Sequence, residues 1–356
     1  MADKRIPSLD GLRGVSILLV ILGHLSYLLP KRIPRYFTLF IYSNVGVIIF
    51  FVISGFLITT LLLNEKSSHR GQVNVRLFYI RRFLRIVPVN FLYICVILLC
   101  NKVFSLGYAR SSFWHAFTYT VNFLGAPWIL GHLWSLSVEE QFYLFWPWVT
   151  RLSFKAITGF AVAIIVYAPL VRVIFYLYPN WQFITLAPFF RHADSLMIGC
   201  LLAISRHSWP ELWKSPLLKN RILCLFSIFT IFSITFLSSI SQLIRHHSGY
   251  LFVPLGTTII SLCAAYIIAS TTTDKKNILY SFLNHPLICY IGILSYSIYI
   301  WQQAFLGEDY LPNTSLWRRV FPTNVLLVFC VSVLSYHIWE KGFLKLKDKF
   351  KAGSNL

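Results

Sequence analysis

The sequence predicts an all-α integral membrane protein, a bundle of about ten transmembrane helices. Three observations carry that expectation. First, 57% of the residues are hydrophobic and only 12% are charged, against roughly 25% charged in soluble domains. Second, the apolar residues gather in runs of about 20, the length at which a helix crosses a bilayer. Third, the 32 Lys and Arg far outnumber the 12 Asp and Glu, and most lie in short segments between the runs. In a soluble chain a net charge of +20 would suggest nucleic acid. Here positive-inside topology accounts for it, and no nucleic-acid partner is expected.

The first run, Ser8 to Leu29, organises the reading. Arg13 and His24 are 11 residues apart, which at 100° per residue returns to within about 20° of the start, about 16 Å along the helix. Both therefore project from one face, with Ile17, Val20 and Tyr27 near the same line. Ionisable groups inside a span usually face a bundle interior or a wet cavity, so this face suggests a polar track into the membrane. Arg13 alone is accounted for by snorkelling to the headgroups. For His24 a functional role outweighs a helix–helix hydrogen bond. The run exceeds a signal-peptide core and lacks a clear cleavage site, so it is expected to stay as a helix.

Ten spans fit: near Arg13–Leu29, Thr38–Leu63, Phe83–Val103, Leu133–Val149, Ala156–Tyr176, Leu186–Ile204, Ile222–Ile240, Tyr250–Ser270, Pro286–Leu306 and Val320–Trp339. Ser111–Leu124 is apolar and aromatic but short: interfacial, re-entrant or an eleventh span. An even count puts both termini on one side. That side holds 20 Lys and Arg and the opposite side 9, with Arg13, Arg85 and Arg191 inside spans. The excess places both termini in the cytoplasm, Arg13 at the inner end of the first helix and His24 toward the outer leaflet. The seven cysteines lie in or beside apolar segments with no CxxC pair, and read as small buried hydrophobes. No metal site is expected. No repeat or linker divides residues 1–356, so one membrane domain is expected.

Four later stretches carry polar groups. In FFVISGFLITTLLL, Ser54-Gly55 is a small-residue break, read as packing with a substrate opening as the alternative. In FYIRRFLRIVP, Arg82 and Arg85 are three apart and Arg81 and Arg85 four, so both pairs are neighbours on a helix. They are topology charges or a phosphate clamp, and the depth of Arg85 favours the clamp for that residue. In GHLWSLSVEEQFYLFWPW, Glu139 and Tyr143 fall within about 20° of His132, while Glu140 lies about 100° round on a flank. In FFRHADSLMIGCLLA, Arg191 and Asp194 are spaced for an intramembrane ion pair that orients the bundle. Tyr296, Tyr299, Trp301, Gln302 and Gln303 form a polar-aromatic surface that an aromatic belt near the outer interface largely explains.

Together these stretches resemble the membrane-bound acyltransferase 3 family, which O-acylates bacterial surface glycans and other sugars. The resemblance runs from Arg5 to about Glu340. RIPSLDGLRGVSILLVILGH is similar to the family's opening motif, with Arg13 and His24 at its arginine and proposed catalytic histidine. FFVISGFLIT resembles its second-span signature, and RRFLRI its arginine pair, on Arg82 and Arg85. HLWSLSVEEQFYLFWP resembles its most specific block, with Glu139 at the glutamate and His132 at the preceding histidine. RHADSLMIGCLLA and LSYSIYIW resemble two later blocks. The chain departs from the pattern at Gln302, where a histidine is common, and at Glu340-Lys341-Gly342, where a glutamate is commonly joined by a proline. Ending soon after its tenth span, it resembles the stand-alone form without a fused soluble esterase-like domain.

The resemblance implies a multi-pass protein of the bacterial inner membrane. It would transfer a short acyl group, acetyl foremost, from cytoplasmic acyl-CoA to a sugar hydroxyl. The acceptor would be a glycan or lipid-linked sugar, such as lipopolysaccharide O-antigen or exopolysaccharide. Acyl-CoA would be a substrate and no cofactor would be held permanently. Arg13, Arg82 and Arg85 would hold its phosphates, and the pantetheine arm would carry the thioester inward. His24 would be the general base or, alternatively, carry the acyl group covalently. Glu139 would orient or stabilise its imidazole, supported by His132, Tyr143 and Ser54. The competing class is a transporter that uses the same groups for protons or anions. No inverted repeat or paired broken helices support it.

Overall fold

The computed structural model describes residues 6–28, 43–68, 72–178, 187–244, 249–274, 278–307 and 321–350. Among these residues there are helices and no strands. In chain order the α-helices are α1 (Pro7–Leu28), α2 (Ser43–Ser68), α3 (Val75–Val103), α4 (Arg110–Phe117), α5 (Val121–Leu124), α6 (Trp128–Gly131), α7 (Leu133–Val149), α8 (Phe154–Leu177), α9 (Ala187–Ser208), α10 (Arg221–Ile244), α11 (Gly249–Thr273), α12 (Ile278–Leu283), α13 (Pro286–Trp301), α14 (Thr323–Leu334) and α15 (Lys341–Asp348). A π-helical turn, Ser335–Glu340, joins the last two.

The described part of each of the ten apolar runs falls largely on a helix, and seven helical stretches among the described residues are long and apolar enough to cross a membrane. They lie in α1, α2, α3, α8, α10, α11 and the α14–α15 stretch. The other three expected spans fall on α7, α9 and α13. α7 has 17 residues and α13 has 16, short of the roughly 20 that a span needs. Each is extended by a neighbour: α6 leads into α7 through His132, and a 3₁₀ turn, Gln302–Ala304, continues α13. α9 is long enough but carries Arg191, Asp194 and Arg206. Ser111–Leu124 is not a span but the short helices α4 and α5, broken at Thr118–Thr120. Lys4, Arg5, Arg245, Lys275, Lys276, Arg318, Arg319, Lys351, the Lys31–Arg35 charges, residues 38–42 and the side chain of Tyr27 lie outside the described residues.

The chain divides into two compact units: Met1–Asn64 with Leu152–Ile293, and Glu65–Arg151 with Leu294–Leu356. The first unit is built on a core that includes Leu9, Leu12, Ile48, Val52, Phe56, Ile198, Ile260 and Ile268. Glycines let its helices touch backbone to backbone. A β-carbon on Gly55 would run into the Leu196 carbonyl, and one on Gly199 into that of Val52. The Ser54-Gly55 break is thus a packing device between α2 and α9 at its glycine. Gly11 and Gly292 do the same for α1 against Leu283 and for α13 against Asp10. Of the cysteines, Cys200 and Cys224 are buried, but Cys330 is exposed.

Asp194 does not take Arg191 as its partner in the expected ion pair. Its carboxylate receives Arg172 Nη1 at 3.1 Å and Nη2 at 2.8 Å, and the Thr258 hydroxyl at 2.6 Å. Arg172 also donates to the carbonyls of Pro254 and Arg191. The pair ties α8, α9 and α11 together, and both charges are buried. It wins because a bidentate guanidinium with satisfied neighbours offsets the cost of burial better than an exposed Arg191 would. Arg172 itself lies inside α8. Asp194→Asn or Arg172→Leu strands one buried charge and is expected to cost about 3–5 kcal/mol. The check is the thermal midpoint of the detergent-purified protein; an unchanged midpoint in both would contradict the strut.

In the second unit α3 is anchored at its N-terminus. Asn74 caps it, accepting from Leu77 N at 3.1 Å. Glu65 receives Asn74 N at 2.8 Å and Arg81 Nη2 at 3.0 Å, and Arg81 Nη1 reaches the Phe350 carbonyl. Tyr79 donates to the Leu144 carbonyl and receives the Trp148 indole, which sets α3 against the C-terminal end of α7. Pro88 interrupts the hydrogen bonding of α3. Around it the Tyr296 hydroxyl bonds Ile86 O at 2.6 Å and the Trp339 indole bonds Pro88 O at 3.0 Å.

Candidate functional site

The expected site residues divide between the two units. In the first, α1 presents Arg13 and His24 along one side. Ile17 and Val20, on the line between them, are wholly buried, so this face points into protein. Arg13 has an acidic neighbour not anticipated from sequence: its Nη1 lies 3.8 Å from Asp10 Oδ1, one turn earlier. His24 is partly buried beside Gly23, where α1 meets the start of α2 at Ser43. Ser54 is partly buried on α2.

The second unit gathers the other charges. The three neighbouring arginines of α3 take different roles. Arg81 is consumed by Glu65 and the C-terminal segment. Arg82 turns to α7: its Cζ lies 5.7 Å from the centre of the Tyr143 ring and 5.7 Å from that of Phe78. Arg85 lies within electrostatic reach of Arg82, Tyr296 and Glu340. Among the described residues neither Arg82 nor Arg85 is held by an ion pair, and the buried Arg82 Nε makes no hydrogen bond.

On α7, Tyr143 donates to Glu139 Oε2 at 3.0 Å, as the i,i+4 spacing predicts. Glu140 is not on an idle flank. Its neighbours are Arg82 and Glu139, together with Tyr119 from the α4–α5 turn, and its Oε1 is buried with no hydrogen bond. The flank is occupied because α3 and that turn both pack against α7. Burial, then the Glu140 carboxylate, raise the Tyr119 phenol above the usual tyrosine range, with Asn90 a smaller opposing contact. Tyr119 therefore stays a hydroxyl, and a donor, at ordinary pH.

His132, just before α7, is tied to the end of α13. Its Nδ1 lies 2.9 Å from Gln303 Oε1 and its Nε2 3.1 Å from the Ile300 carbonyl, while its backbone N–H also meets Gln303. These contacts join α7 to the end of α13, with Tyr299 donating to the His132 carbonyl. The polar-aromatic group at 296–303 is accordingly not a lipid-facing belt. Gln302, Gln303 and Trp301 are buried, and Tyr296 and Tyr299 point to partners inside the unit. Glu340, at the end of the π-turn, is buried and accepts from the Ser297 hydroxyl at 2.6 Å. π-Turns recur at functional sites.

Sequence reasoning missed Asn90 and Tyr119 as site residues. Asn90 carried a signal, an amide inside an apolar run two residues after a proline. Tyr119 carried none, since its placement depends on a turn. Among the described residues no group of three His, Cys, Asp or Glu side chains is arranged to hold a metal.

Apolar helices that carry Arg82 and Arg85, held by no ion pair among the described residues, near buried carboxylates suit a membrane enzyme that handles an anionic substrate. The comparisons define which kind. The chain belongs to the acyltransferase 3 family, whose profile, described as an acyltransferase domain, matches residues 6–337. It is similar to the peptidoglycan O-acetyltransferase OatA of Listeria monocytogenes, 26% identical across 98% of this chain and 58% of the relative. It is also similar to a putative O-acetyltransferase of Staphylococcus aureus, 28% identical across 96% of this chain and 58% of the relative. The O-acetyltransferase OatA of Staphylococcus aureus is 27% identical over the same shares. The chain thus spans 58% of the length of these relatives. No solved structure matches it.

Proposed function

We propose that this chain O-acetylates a cell-envelope glycan, taking the acetyl group from acetyl-CoA. The observation that carries the reading is the pair Arg82 and Arg85, set in an apolar helix with no ion-pair partner among the described residues. Glu140 and Glu340 lie within electrostatic reach of them but form no ion pair with either guanidinium, and a phosphate-rich donor engages such groups in bidentate form. Arg13 is assigned to the same anionic donor. His24 is the general base: it takes the proton of the sugar hydroxyl as that oxygen attacks the thioester carbonyl. The C–S bond then breaks and the proton leaves on the thiol of CoA. Glu139, which accepts from Tyr143, is assigned the role of orienting the His24 imidazole or stabilising its charged form.

The protein is read as ten spans in the bacterial inner membrane with both termini in the cytoplasm, where CoA is found. The acceptor hydroxyl belongs to lipopolysaccharide O-antigen, exopolysaccharide or, as the name of the Listeria relative suggests, peptidoglycan. The test is the ester acetate released by mild alkali from each isolated polymer, with and without this protein. Acetate that depends on the protein in one polymer supports the reading and names the acceptor. Equal acetate in all three would remove it.

A further inference from the structure

Three elements of the second unit bring polar atoms together that no protein group satisfies. Asn90 on α3 is 3% exposed, and its Oδ1 accepts no hydrogen bond. Glu140 Oε1 on α7 is buried in the same condition, as is the Tyr119 hydroxyl from the α4–α5 turn. Tyr119 lies within electrostatic reach of Glu140, with the Asn90 side chain beside it. Arg82, with its own unpartnered Nε, adjoins Glu140. Native interiors leave few such atoms, because each costs about 1–3 kcal/mol.

The turn that delivers Tyr119 is built, not incidental. Tyr119 has φ +54°, in the left-handed region that a bulky side chain seldom adopts. Such a conformation costs about 1–3 kcal/mol and persists only where the surroundings enforce it. Here Gln141 enforces it. Its amide donates to the Tyr119 carbonyl at 2.9 Å and exchanges two 3.0 Å hydrogen bonds with the Asn122 side chain. Gln141 directly follows Glu140, so turn and carboxylate are tied into one piece.

The chemistry of the unsatisfied atoms limits what fits them. Glu140 Oε1 and Asn90 Oδ1 are acceptors and need an O–H or N–H. An ionised phosphate offers only acceptors, so it can take the Tyr119 hydroxyl but cannot satisfy Asn90 Oδ1 or Glu140 Oε1. The arginines and this group therefore take different parts of a substrate. We propose that Glu140, Asn90 and Tyr119 form a subsite for a hydrogen-bond-donating group of a substrate, an alcohol O–H or a secondary amide N–H, beside the phosphate-binding arginines. The inference rests on the acyltransferase reading above. That reading supplies two sources of the shared chemistry: the amides of the pantetheine arm of CoA, and the hydroxyls of the acceptor sugar.

The test uses the full chain with Glu140→Gln and, separately, Tyr119→Phe, which removes one oxygen and leaves the turn intact. Affinities for CoA and for adenosine 3′,5′-bisphosphate are measured on purified protein, and ester acetate is measured on the glycan of expressing cells. A loss of about threefold to tenfold is expected, the scale of one hydrogen bond. If CoA binding falls and bisphosphate binding holds, the subsite takes the pantetheine amide. If CoA binding holds and ester acetate falls, it takes the acceptor hydroxyl. Wild-type behaviour of both variants in every arm overturns the subsite, as does an equal loss for CoA and bisphosphate, which would make it part of the phosphate site. A wild-type protein that yields no ester acetate overturns the acyltransferase reading itself, and the subsite with it.

Discussion

His24→Ala is expected to lower acetyl transfer by a hundredfold or more while leaving expression and membrane insertion intact. A positioned general base contributes roughly 10²–10⁴-fold, and loss of an acyl-histidine step would cost at least as much. The wholly buried Ile17 and Val20 show that the line from Arg13 to His24 faces protein. The measurement is the initial rate of acetyl transfer by membranes with matched amounts of protein. A rate within a few-fold of wild type would remove His24 from both schemes.

Arg82→Lys and Arg85→Lys are expected to weaken CoA binding, each by about tenfold to a hundredfold, the scale of a charge-assisted hydrogen bond. Lysine keeps the charge that topology needs, so insertion is expected to be unchanged. It cannot reproduce the planar fork that grips phosphate. Arg81→Lys is the internal contrast. That side chain is committed to Glu65 and the Phe350 carbonyl, so the substitution is expected to change stability more than CoA affinity. Calorimetry at fixed ionic strength separates the three. Unchanged affinity in both the Arg82 and Arg85 variants would leave them as topology charges only.

The helices were legible because a bilayer imposes a length, although among the described residues only seven of the stretches are long and apolar enough to cross one. Contacts within one helix were legible for the same reason: the hydrogen bond from Tyr143 to Glu139 follows from a spacing of four. Contacts between helices were not. The spacing of Arg191 and Asp194 favoured a local pair, while the partner that holds Asp194 stands on α8, 22 residues earlier. Nothing in RRFLRI separates Arg81 from Arg82 and Arg85; the separation is made by Glu65 and by a backbone carbonyl 269 residues away. Helical phase placed Glu140 on a flank correctly but could not say that Tyr119 and Arg82 occupy it. Aromatic composition at the end of a span is alike for a lipid-facing belt and a buried cluster, so the interior position of Trp301 and Gln303 needed the fold.

The most direct test of the account supplies acetyl-CoA, labelled in its acetyl group, to membranes that contain this protein and the envelope glycan. Label in the glycan that mild alkali releases is then counted. The account predicts label that requires the protein, is competed by unlabelled CoA and is lost with His24→Ala. Glycan that stays unlabelled while the same membranes move a solute would contradict it, and would place these charged helices in a transporter.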